Sequence, residues 1–180
     1  LRLSRGLGDV YKRQPTAKRI GCLKQQSGRE MSKEQEIISS VDGPVGRIHL
    51  NKPEALNALS FGMCQTMLEV LNTWRNDDSI QLVVVTSEGN RAFCAGGDVR
   101  QVALSGRDDP VNARQFFSNE YNLDAVINEF PKPYLCLIDG IVMGGGLGIS
   151  VNGRYRVMGD NTVAAMPETC LLYTSDAADE

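Results

Sequence analysis

The sequence predicts an α/β fold, because the order strand, glycine loop, helix occurs in it twice. In the first occurrence the apolar run Leu82-Val83-Val84-Val85 leads into RAFCAGGD at 91–98, with a helical stretch over 111–129 beyond it. In the second, the apolar stretch Tyr134–Ile138 leads into GIVMGGGLGIS at 140–150. A continuous β-branched run such as 82–85 suits a strand covered on both faces, as helices cover a parallel sheet.

Taken from the N-terminus, residues 1–30 carry eight Lys or Arg against Asp9 and Glu30 and show no clear hydrophobic period. Such an Arg-rich, acid-poor leader has the composition of a mitochondrial transit peptide. The favoured expectation is different: an unstructured or non-native leader, with Met31 as the start, because MSKEQEIISSVDGPVGRIHLNKP reads as a complete beginning. That start implies a bacterial cytoplasmic protein; a genuine leader implies mitochondria. Strands are expected at 35–40 and 45–50, flanking the turn signal Asp42-Gly43-Pro44. After the breaker Pro53, Met63, Met67, Leu71 and Trp74 recur at helical spacing and mark a core face. In the second helix Phe116, Leu123 and Ile127 lie near one face, adjoined by Phe117 and Tyr121, and Pro131 follows its end.

Composition narrows the function. A chain of 180 residues suits one domain with a real core. No apolar run approaches the roughly 20 residues of a membrane helix, so no membrane partner is expected. A formal charge of −3 gives no reason to expect nucleic acid. The five cysteines (Cys22, Cys64, Cys94, Cys136, Cys170) are scattered, odd in number and form no CxxC pair, which points to reduced thiols. The single histidine, His49, sits in a strand-like segment and is read as structural. Ser-His-Asp or Cys-His catalysis and any two-imidazole metal site would all rest on it. Chemistry is therefore left to carboxylates, backbone groups or residues outside this sequence, and no metal is expected.

The glycine run at 144–148 fits none of the common signatures. A dinucleotide fingerprint starting at Gly144 would need glycine where Ile149 stands, and no GK[ST] follows for a phosphate loop. A nucleophile elbow around Ser150 fails at Asn152. Glycines after a strand can instead expose the first N–H groups of a helix to a developing negative oxygen. CAGGD could present a second N–H, and two such donors make an oxyanion hole. Either loop alone is more often a tight turn.

FCAGGD, then MGGGLG, with NKPEALNAL at 51–59 ahead of both, resembles the crotonase superfamily over roughly residues 41–169. The resemblance implies the N-terminal portion of a β-β-α spiral fold, with 31–169 a partial domain. It implies an acyl-CoA substrate bound beside these loops, with CoA part of the substrate and no separate cofactor. It assigns the oxyanion-hole donors to Ala95 and Gly145, with Gly96, Gly97, Asp98 and Gly144 lining the substrate site. Cys94 is read as a small buried neighbour of the hole, not a nucleophile.

Hydratases of the superfamily use two glutamates; one position matches Gly148, which has no carboxylate, and the other Glu168. EYNL at 120–123, GIVMGGGLG and AMPET resemble the 3-hydroxyisobutyryl-CoA hydrolase subfamily. That resemblance implies thioester hydrolysis in valine catabolism, with Glu120 lining the substrate site and Glu168 as base or nucleophile. By sequence alone Glu120 reads as a solvated helix-face residue. Other crotonase reactions, or CoA-ester binding without catalysis, are the alternatives, and the oligomeric state stays open. The family continues after MPET with FPDVGG; here CLLYTSDAADE follows, and Asp176 has the right spacing from Glu168 but unmatched neighbours. That tail (170–180) and the opening LRLSRGLGDVYKRQ resemble translated sequencing-adapter sequence, so a truncated, inactive fragment is expected.

Overall fold

The computed structural model describes residues 35–98 and 110–166, the side chains of 110–113 excepted. It opens with a hairpin: β1 (Ile37–Asp42) pairs antiparallel with β2 (Val45–Leu50), from Asp42 opposite Val45 to Ile37 opposite Leu50. Gly43, at φ +57°, supplies the left-handed residue that so tight a reversal needs. The first strand thus lies two residues later than expected, because Asp42 pairs instead of turning. Strands β3 (Leu82–Ser87), β5 (Tyr134–Ile138) and β7 (Tyr155–Met158) then join in parallel, giving the order β1-β2-β3-β5-β7.

Three shorter strands form a second sheet. β4 (Ala92–Cys94), β6 (Ile141–Met143) and β8 (Val163–Ala165) run parallel in the order β4-β6-β8. The chain places a strand in the long sheet, then one in the short sheet, then a helix, and repeats. This is the β-β-α spiral, and it refines the simple strand–loop–helix expectation. Both glycine loops follow strands of the short sheet, not the long apolar strands directly.

Helix α1 (Phe61–Arg75) starts at Ser60, whose Oγ accepts the Met63 N–H at 3.1 Å. Its apolar face buries Met63, Cys64, Met67, Leu71 and Trp74, the expected core positions. Trp74 lies flat on β2 at Gly46, where a Cβ would come within 2.6 Å of the indole ring. At the other end, Lys132 Nζ donates to the carbonyls of Trp74 and Asp77, each at 2.6 Å, satisfying groups the helix cannot pair itself. Helix α2 (Pro110–Asn128) buries Phe116, Leu123 and Ile127, while Phe117 and Tyr121 stack on each other at its exposed side. Helix α3 (Gly145–Val151) follows β6, and Arg156 Nη1 donates to carbonyls at its end, Val151 at 2.8 Å and Gly153 at 2.7 Å.

His49 bridges neighbouring strands, with Nδ1 2.8 Å from Thr86 Oγ1 and Nε2 3.1 Å from Glu88 Oε2. Cys64, Cys94 and Cys136 are free and buried. Among the described residues no helix is long and apolar enough to cross a membrane.

Candidate active site

The NKPEALNAL loop and the CAGGD loop are built as one unit. Leu56 and Asn57 both adopt left-handed backbone conformations, φ +53° and +54°. Asparagine tolerates that region, and here its side chain holds three partners. Asn57 Nδ2 donates to the carbonyls of Glu88 (2.9 Å) and Ala92 (3.0 Å), and Oδ1 accepts the Lys52 N–H (2.9 Å). Beyond it, Leu59 pairs with Gly97 in a single parallel bridge: Leu59 N–H donates to Gly96 O and Asp98 N–H to Leu59 O, both at 2.8 Å.

A buried cation ties this unit to the hairpin. Lys52 Nζ lies 3.0 Å from Glu36 Oε1 and 3.1 Å from Asp98 Oδ2, with its side chain only 11% exposed. Glu36 in turn accepts a short hydrogen bond from Ser60 Oγ. Burial works to raise the Glu36 carboxyl, but hydrogen bonds from Ser60 and Lys52 outweigh it and hold the group below its ordinary value.

The second glycine loop packs directly on the first. At Gly146 a Cβ would collide with the Cys94 carbonyl, so only glycine lets α3 sit so close to β4. At Gly96 (φ +110°) a Cβ would lie 3.4 Å from Met143 O and 3.8 Å from Gly145 N. Gly144 (φ +45°) turns the chain into α3, and its carbonyl takes the N–H groups of Leu147 and Gly148.

The donors differ from expectation. The Ala95 N–H donates to Leu56 O at 3.0 Å, so it is committed to the scaffold and cannot serve an oxyanion. In a parallel bridge the paired residue's own N–H and C=O point away from the partner strand, so Gly97 directs its N–H away from Leu59. Among the described residues neither the Gly97 nor the Gly145 N–H meets a backbone acceptor. Gly97, two places after Ala95, thus offers with Gly145 the N–H groups that the loops leave without a backbone acceptor.

Two carboxylates from α2 face these glycines. Glu120 is 8% exposed, not solvated. A Cβ on Gly145 would collide with its Oε1, and one on Gly97 would lie 3.4 Å from its Oε2. One turn on, Asp124 presses on Gly148, where a Cβ would sit 2.6 Å from Oδ2. Burial pushes the Asp124 carboxyl up to about 6, the Asn152 amide opposing it. Burial also pushes the Cys94 thiol to about 12, which keeps it protonated and unsuited to nucleophilic attack. Glu168 lies outside the described residues, as do Asp176, Cys22 and Cys170.

Residues 45–179 match the family model described as enoyl-CoA hydratase/isomerase. The chain belongs to that family. Over 136 residues it is 45% identical to a chicken (Gallus gallus) mitochondrial 3-hydroxyisobutyryl-CoA hydrolase, covering 76% of this chain and 35% of the relative. The human protein of the same name is 39% identical over 137 residues, 76% of this chain and 36% of the relative. Among solved structures, a carnitinyl-CoA dehydratase from Mycobacterium thermoresistibile superposes with a TM-score of 0.73 at 47% identity, over 75% of this chain and 40% of the other. An enoyl-CoA hydratase from Rhodobacter sphaeroides gives 0.72 at 38% identity, over 74% and 40%. The chain thus spans about a third of the length of the curated relatives it matches.

Within this family fold, three residues stand at the site that the sequence did not single out: Lys52, Asn57 and Asp124. A signal for Asp124 was available, since it follows Glu120 at helical i+4 spacing on α2. Lys52 and Asn57 sat inside the quoted NKPEALNAL motif, but their partners Asp98 and Glu88 are 46 and 31 residues further along the chain.

Proposed function

We propose that the protein carrying this chain hydrolyses a short branched 3-hydroxyacyl-CoA thioester, 3-hydroxyisobutyryl-CoA to 3-hydroxyisobutyrate and CoA. One observation carries the reading: the N–H groups of Gly97 and Gly145, which meet no backbone acceptor among the described residues, flank the buried Glu120 carboxylate on a scaffold that fixes both loops. A thioester carbonyl held by the two N–H groups is polarised, and the charge that develops on its oxygen is stabilised by donors already in place. Removing one such donor typically costs about 10²–10³ in kcat. Glu168 is assigned as the base that activates water, or as the nucleophile that forms a mixed anhydride with loss of the CoA thiolate. Of the two locations that the leader allows, the mitochondrial one is carried in the relatives' names.

The test uses the complete protein and measures free thiol released from a panel of acyl-CoA esters. Release fastest from 3-hydroxyisobutyryl-CoA is the expected result, and no release from any ester refutes hydrolysis. During a single turnover in ¹⁸O water, label in Glu168 indicates the anhydride route, with water attacking the glutamyl carbon. A fully active Glu168→Ala variant overturns both assigned roles. A second reading, loss or addition of water at a double bond, is favoured by the 47% identity to a carnitinyl-CoA dehydratase. It predicts interconversion of hydroxyacyl and unsaturated esters with no free thiol. Binding of a CoA ester without turnover marks the noncatalytic alternative.

A further inference from the structure

We propose that Asp124 is a specificity-determining residue of this site, accepting a hydrogen bond from a hydroxyl on the acyl chain of the bound CoA ester; this rests on the thioesterase reading above. Three features of its setting carry the inference. First, Asp124 Oδ1 is shielded from solvent and meets no hydrogen-bond partner among the described residues. Buried acceptors in folded proteins are paired in the great majority, and an orphan beside a reaction site calls for a donor from elsewhere.

Second, its place is set by the site itself. Glu120 and Asp124 stand one turn apart on α2, and Gly145 and Gly148 three residues apart on α3, so the two helices meet as carboxylate against glycine at successive levels. The Glu120 level is that of the two proposed carbonyl donors. The Asp124 level lies about 6 Å further along α2. A group two carbons beyond the thioester carbonyl is displaced from the carbonyl oxygen in the same sense when the acyl chain runs along α2.

Third, no described residue packed around Asp124 already supplies a donor to Oδ1. The Asn152 side chain hydrogen-bonds the carboxyl and opposes the upward shift, and its Nδ2 also donates to Gly148 O at 2.9 Å, yet Oδ1 itself stays unpaired among the described residues. Cys64 from α1 and Tyr134 from β5 are within electrostatic range, yet neither donates a hydrogen bond to Oδ1. A carboxyl raised to about 6 is mainly ionised at neutral pH and is then purely an acceptor, which suits a hydroxyl and not a second carbonyl.

A hydrogen bond to a charged group corresponds to about 10- to 150-fold in discrimination. In the complete protein, kcat/KM for 3-hydroxyisobutyryl-CoA is therefore expected to exceed that for isobutyryl-CoA by at least that factor. Asp124→Val, close in size and without an acceptor, collapses the ratio toward one; Asp124→Asn, which keeps an acceptor, retains more of it than Val does. Because variants can fail to fold, the wild-type protein provides the second measurement. With ¹³C-labelled aspartate carboxyls, the Asp124 resonance shifts on adding a non-hydrolysable 3-hydroxyacyl-CoA thioether and stays in place with its deoxy counterpart. A folded Val variant that keeps the wild-type ratio overturns the proposal, as does a resonance that responds equally to both thioethers. Wild-type protein that releases thiol from neither ester defeats the thioesterase reading alone, since the thioether titration still reports on Asp124.

Discussion

Replacing Lys52 with methionine tests whether the buried cation holds the oxyanion loop. Lys52 lies 3.0 Å from Glu36 and 3.1 Å from Asp98, and removing it leaves two carboxylates facing each other without their shared partner. Breaking a fully buried pair in this way costs roughly 3–5 kcal/mol. Here the Glu36 side chain is 38% exposed and that of Asp98 20%, so water takes up part of the loss. An expected cost of about 2–3 kcal/mol follows after that discount. Urea unfolding followed by the fluorescence of Trp74, the single tryptophan, measures it directly. Acid dependence provides a second sign. The Glu36 carboxyl is held below its ordinary value, so its stabilisation is present above the unfolded value of about 4.3 and is lost as pH falls through the lower folded one. Lys52→Met removes one of the hydrogen bonds behind that shift and flattens this part of the profile. Since Asp98 adjoins Gly97, the complete protein should also lose about tenfold in kcat with KM little changed, the signature of a donor displaced from the transition state. Stability within about 0.5 kcal/mol of wild type, with unchanged kcat, would refute the reasoning.

Three further substitutions probe the same scaffold. Asn57→Ala deletes three hydrogen bonds and places alanine at φ +54°, for an expected loss of about 3 kcal/mol by chemical denaturation. Gly46→Ala drives a Cβ into the Trp74 ring; a cost of about 1–3 kcal/mol, with a changed emission spectrum in the folded state, is expected. Gly148→Ala sets a Cβ 2.6 Å from Asp124 Oδ2, and a comparable loss of stability should be partly relieved in the double variant with Asp124→Ala.

The elements legible in the sequence were those whose pattern is long. The face Met63, Met67, Leu71 and Trp74 gave α1 its buried side, and the run 82–85 and Tyr134–Ile138 gave β3 and β5. The short sheet was not legible, because its strands AFC, IVM and VAA are three residues each, too brief for any period to form. The choice between Ala95 and Gly97 as donor was equally hidden. It depends on which N–H a parallel bridge to Leu59 turns outward, and that pairing joins residues 38 apart in sequence. The inward placement of Glu120 is legible in the sequence. Glu120 lies four residues after Phe116 and three before Leu123, on the line of the buried face, so helical periodicity alone places its carboxylate inward. Glycine in the facing helix makes room for it.

That pairing of carboxylate with glycine has a cost and a consequence. Glycine is less favourable than alanine within a helix by about 1 kcal/mol, and α3 carries Gly145, Gly146 and Gly148 in only seven residues. A helix so short owes its stability to packing, and packing here means Gly146 against the Cys94 carbonyl and Gly148 against Asp124. Each contact exists only because no Cβ intervenes. The backbone N–H of Gly145 and the carboxylate of Glu120 are thereby brought to the same point by opposite helices. Negative charge developing on a substrate oxygen between Gly97 and Gly145 would then arise beside an existing carboxylate.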